Sequence, residues 1–124
     1  MKKFPADRIL ENILHRTENE LGIQVAKLKS GDTLKIKIGE KHLTLKAGYP
    51  AKREFYVVAD ESGNFSDNSQ VYILGSSLTG TGAMLRLGWI AVNYLICISH
   101  QGKEYYGYPK RIWINDRLML PIDE

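Results

Sequence analysis

Residues 33 to 46 alternate between apolar and polar at nearly every step. Thr33-Leu34-Lys35-Ile36-Lys37-Ile38 keeps the pattern strictly, and Lys41-His42-Leu43-Thr44-Leu45-Lys46 keeps it less strictly. Only an extended strand sends successive side chains to opposite faces, so this period buries one face and wets the other. Gly39-Glu40 separates the two runs and predicts a tight hairpin. Upstream, Ile23 to Leu28 reads as a preceding strand with Lys29-Ser30-Gly31-Asp32 as its turn. Residues 23 to 47 are therefore expected to form a three-strand meander.

The pattern elsewhere is mixed. Ile9, Leu10, Ile13, Leu14 and Leu21 recur at helical spacing, Pro5 suits a first turn and Gly22 a C-terminal stop. These residues predict an amphipathic helix over 6–21. Glu54 to Ala59 and Gln70 to Leu74 read as strands rich in aromatic and β-branched residues. Asp60 to Asn68 is a polar loop, and Gly75 to Gly82 a second loop. The stretch from Met84 to His100 is apolar on all sides, which suits a buried helix or buried strands. The β-branched Ile90, Val92, Ile96 and Ile98 favour strand, with Gly88 at a bulge. His100 to Lys103 then turns the chain, Glu104 to Tyr108 pairs back, Pro109 interrupts, and Arg111 to Asn115 alternates as a last strand.

The fold class expected is α+β: an N-terminal amphipathic helix on a largely antiparallel, meandering, barrel-like sheet. Residues 1–124 form a single domain, with the helix in 1–22, a β-rich body in 23–115 and a tail in 116–124 packed through Leu118 and Leu120. A chain of 124 residues that is 44% hydrophobic and 25% charged can close one core and has little room for two. A single cysteine, Cys97, excludes an internal disulfide framework and a multi-cysteine zinc site. Lys2 and Lys3 are followed by charged residues rather than an apolar run, so no signal peptide is expected. Arg86, Gly88 and Asn93 interrupt the longest apolar stretch, which is shorter than the roughly 20 residues of a membrane span. The expectation is a soluble, cytoplasmic protein without a membrane partner.

Charge is uneven. Residues 23 to 53 hold eight Lys or Arg against two acids, +6, whereas residues 54 to 124 sum to −3. With Leu34, Ile36, Leu43 and Leu45 inward, Lys35, Lys37, His42, Thr44 and Lys46 share the outer face, and Lys52 and Arg53 follow at the next turn. Such a face attracts phosphates, and it also serves simply to keep a sheet solvated. Gly75-Ser76-Ser77-Leu78-Thr79-Gly80-Thr81-Gly82 carries the amides and hydroxyls of an anion cradle, with Ser76, Ser77, Thr79, Gly80 and Thr81 as candidate ligands. It lacks the Gly-Lys-Ser/Thr of a P-loop and the glycine spacing of a dinucleotide fingerprint. In Tyr105 to Arg111, Tyr106 and Tyr108 share a strand face beside Lys110 and Arg111, an arrangement that can stack a base.

No residue set specifies a reaction. Asp60 to Asn68 is rich in oxygen atoms but lacks the glycine position and closing Glu of a calcium loop. His15, His42 and His100 stand at no ligand spacing, so neither metal nor cofactor is expected. Cys97 and His100, three apart on a strand, point to opposite faces. Glu54, Asp60, Glu104 and Asp116 converge only in a particular fold. Trp89 and Trp113 read as core or interface residues. Three functions stay open. The first is a non-enzymatic binder of an anionic partner, nucleic acid or a phosphate-containing ligand. The second is an assembly module with a protein partner, and the third an enzyme with an unrecognised site. The continuous apolar run favours a homo-oligomer, and the balance of features favours the binder.

Overall fold

A computed structural model describes residues 14–17, 20–77 and 85–121. Those residues form twelve strands: β1 (Leu14–Thr17), β2 (Glu20–Gln24), β3 (Thr33–Ile38), β4 (Lys41–Tyr49), β5 (Glu54–Asp60), β6 (Gln70–Ser77), β7 (Leu85–Leu87), β8 (Trp89–Ile90), β9 (Leu95–His100), β10 (Lys103–Gly107), β11 (Pro109–Ile114) and β12 (Arg117–Leu120). Two 3₁₀ turns, Val25–Lys27 and Pro50–Lys52, are the only helical elements among the described residues. No described helix is long and apolar enough to cross a membrane.

All strand pairs are antiparallel. A small sheet runs β1-β2-β8, and a large one runs β10-β9-β6-β5-β4-β3-β11-β12, with β7 beside the far half of β6. The connection from β10 to β11 forces the large sheet to curl. Six strand spacings separate them in sheet order, about 29 Å if the sheet were flat. Tyr108 alone joins them, and one residue carries the chain at most about 7.6 Å between flanking Cα atoms. The two ends must therefore approach, although the sheet does not close. Gly107 on β10 lies against Ile38 on β3, where a Cβ would stand 2.8 Å from the Ile38 Cγ2. Bulges at Thr44/Leu45, Ala47/Tyr49 and Ile73/Gly75 supply the local bends.

The inward faces make one core, centred on Leu34, Ile36, Leu45, Phe55, Val57, Ile73, Ile96 and Ile112. β3 and β4 pair in the register that alternation and the Gly39-Glu40 turn predict, Ile36 opposite Leu43 and Lys37 opposite His42.

The α+β expectation is overturned: among the described residues the protein is mostly antiparallel sheet, with no helix of seven residues or more. Leu14–Thr17, inside the expected helix, and Glu20–Gln24, which begins at its end, are strands paired antiparallel. The helix's residues 6–13, 18 and 19 lie outside the described residues. Gly22, read as a helix stop, serves a different purpose, because a Cβ there would collide with the Trp89 indole. The meander is also shorter than expected. Ile23 and Gln24 pair with Ile90 and Trp89 in the small sheet, and Val25–Lys27 leaves the extended state altogether. The expected loop from Gly75 begins later, since β6 continues to Ser77. Arg117–Leu120, expected as tail, is a strand. It is turned by Asn115 and Asp116, at φ 50° and 67° as a two-residue hairpin turn requires. Where described, the 84–100 stretch is mostly strand, broken at Gly88 and at residues 91–94.

Candidate functional site

The outer face of β11, β3, β4 and β5 gathers cations and aromatics in cross-strand rows. Trp113 stands opposite Lys35, which stands opposite Thr44. Arg111, Lys37 and His42 form the next row. Thr33, Lys46 and Tyr56 form a third. Directly opposed residues share a face and lie within side-chain reach. The inward partners along the same strands, Ile112, Ile114, Leu34, Ile36 and Leu45, are buried and fix which side each cation takes. The Lys35 ammonium sits 4.6 Å from the centroid of Trp113, and the His42 ring, on β4 beyond β3, lies 5.7 Å from that indole.

Few acids oppose this face. Glu61 accepts hydrogen bonds from the His42 backbone amide at 2.8 Å and sits 3.0 Å from its Nδ1. These bonds hold the Glu61 carboxyl below its ordinary value, the backbone bond contributing most. Glu40, in the β3–β4 turn, lies 3.8 Å from the Lys37 Nζ and 3.5 Å from the Lys110 Nζ. It is 82% exposed, so both pairs are screened and weak. Among the described residues Lys35, Lys46 and Arg111 have no ion-pair partner.

The structure thus brings Lys35, Lys37, Lys46 and Arg111 together and sets other expected residues apart. Lys52 sits in the β4–β5 turn with its Nζ 5.4 Å from the Tyr49 ring centroid. Arg53, at φ 62°, turns its stem toward Gly88, and its Nε is buried without a partner. Tyr106 is exposed on β10, donating to Glu104 at 2.8 Å, a bond that raises its phenol pKa. Lys110, at the bulge between Pro109 and Arg111, stays at the edge of the face, where it shares Glu40 with Lys37. Ser76 and Ser77 are buried within β6, the Ser76 Oγ without a hydrogen-bond partner, whereas Thr79, Gly80 and Thr81 lie outside the described residues. The apolar run that suggested a subunit interface places Trp89, Ile90, Ala91 and Leu95 to Ile98 in this chain's own interior.

Trp113 and Tyr56 are the site residues that sequence reading missed. The signal was present: Ile112 and Ile114 flank Trp113 as Phe55 and Val57 flank Tyr56, so period-two alternation turns both aromatics outward.

Beside this face, where the sheet ends approach, a cleft of about 110 Å³ opens between β3–β4 and β9–β10. Ile38, Leu43, Phe65, Ile96, Ile98 and Tyr105 make its apolar wall. Phe65 and Tyr105 meet with ring centroids 4.7 Å apart at 64°.

Burial pushes the Cys97 thiol up, away from a reactive thiolate. The Asp60 carboxylate is taken by the Ser62 amide and hydroxyl and by the Phe65 amide, as in a structural turn. Among the described residues no three of His, Cys, Asp and Glu converge as a metal site. No family model, curated protein or solved structure matches the chain.

Proposed function

We propose that this protein is a non-catalytic binding module for single-stranded nucleic acid. The observation that carries the reading is the clustering of Lys35, Lys37, Lys46 and Arg111 around Trp113 on one sheet face. Phosphates answer the cations, and counterion release drives the association. Single strands are favoured over duplex because an aromatic on a sheet surface offers its ring to unstacked bases, which a duplex does not present. Tyr56 extends the stacking surface across β5 from Lys46.

The test is fluorescence anisotropy with a labelled fifteen-nucleotide single strand and the matching duplex, in wild type and Trp113→Leu. The single strand binds more tightly, and Trp113→Leu weakens it about 5- to 150-fold, the range for one aromatic–base stack. Absence of salt-sensitive binding, or duplex affinity matching single-strand affinity, would overturn the reading.

A further inference from the structure

We infer that the cleft beside the basic face is a pocket for one pyrimidine base of the bound strand. The inference rests on the single-strand reading above and gives it a base preference. Size is the first argument. A dry apolar cavity of about 150 Å³ accommodates benzene. The cleft here measures about 110 Å³ and is open at one side, so a six-membered ring enters with its substituents left at the mouth. The two fused rings of a purine would leave more of the base outside it.

Shape and chemistry agree with that size. Phe65 and Tyr105 form a tilted aromatic corner, and Ile96 and Ile98 provide the floor. A base ring against that corner gains stacking and edge contacts. The rim is polar. Asn64 carries an amide with both donor and acceptor, the complement of a pyrimidine's Watson–Crick edge. Lys41 adds a cation where the following phosphate would lie.

Position is the third argument. His42 belongs to both places: it lines the cleft, and it packs beside Trp113 and opposite Lys37 on the basic face. A strand lying across Arg111, Lys37 and His42 therefore reaches the mouth of the cleft within the same row. A free apolar ligand would have no use for this continuity.

The experiment compares fifteen-nucleotide oligothymidylate with oligoadenylate by anisotropy, in wild type, Phe65→Leu and Asn64→Ala. Oligothymidylate binds wild type at least about fivefold more tightly, the low end of one aromatic–base stack. Backbone flexibility also favours pyrimidine runs, so the variants decide. Phe65→Leu brings the ratio of the two affinities close to one. Asn64→Ala, at an exposed position, lowers it about two- to tenfold. If both oligonucleotides bind and neither variant changes the ratio, the pocket inference is overturned and the basic-face reading stands. If Phe65→Leu does not fold, the Asn64→Ala ratio alone decides in the same way. If neither oligonucleotide binds with salt dependence, the basic-face reading itself fails, and the pocket with it.

Discussion

Replacing Lys35 and Lys37 together by Gln removes two of the four cations on the proposed binding face while keeping most of each aliphatic stem. Each phosphate neutralised on a single strand adds about −0.7 to the slope of log affinity against log salt. Four contacts give a slope of about −2.8, and two give about −1.4. Between 50 and 200 mM salt the wild-type affinity should then fall about 50-fold and the variant's only about sevenfold. The Lys37–Glu40 pair does not alter this estimate much, since Glu40 is largely in water. Anisotropy of a labelled single strand at four or five salt concentrations reads the slope directly. A thermal melt controls for folding, and substitutions on this face should move the midpoint by no more than about 4 °C. A variant that binds more weakly but with the wild-type slope would refute the reasoning, because Lys35 and Lys37 would then not be touching phosphate.

Three further outcomes test the architecture. Gly75→Ala should cost at least about 2 kcal/mol in urea unfolding, because residue 75 sits at φ 143° and a Cβ would strike the Arg86 carbonyl; a wild-type midpoint would show that the β6–β7 contact is not tight. The Glu61 carboxyl is held below its ordinary value in the folded protein, so its stabilising contribution is complete above the unfolded pKa and disappears as pH falls through the lower folded value. Glu61→Gln should accordingly flatten the acid limb of the stability profile, and superimposable wild-type and variant curves below pH 5 would contradict this. Cys97 is buried with a raised pKa, so a thiol reagent at pH 8 should label it only as fast as the protein unfolds, and rapid labelling of native protein would be the contrary result.

The β3–β4 hairpin was legible because alternation and turn chemistry agree there, and with it three of the four cations of the candidate face. Arg111 was legible only as part of a different group, with Tyr106 and Lys110. Which strand lies beside β3 is not a property of β3, and local sequence does not say that β11 takes that place. The expected helix failed because Leu14 and Leu21 fit helical spacing as well as a short hairpin. Pairing of Ile23 with Ile90, and the Trp89 indole against Gly22, decided for strand. β12 was overlooked although Asn115-Asp116 is a dipeptide tolerant of the left-handed conformation at both positions. The cleft had no local signature, since its walls come from five strands and a loop that only the curl assembles.

The one-residue passage from β10 to β11 has a consequence for how the protein matures. The β3–β11 ladder joins segments distant in sequence, and such pairings form slowly because loop-closure entropy precedes any gain from contact. β3 and β4, by contrast, can pair as soon as both are made. A growing chain would display Lys35, Lys37 and Lys46 well before Trp113 and Arg111 arrive beside them. Until then the face has charge without the Trp113 ring, and on the proposed reading its early contacts with polyanions would be loose and salt-labile. On that reading selectivity would come with the final ladder, and the last strands to dock would turn general attraction into recognition.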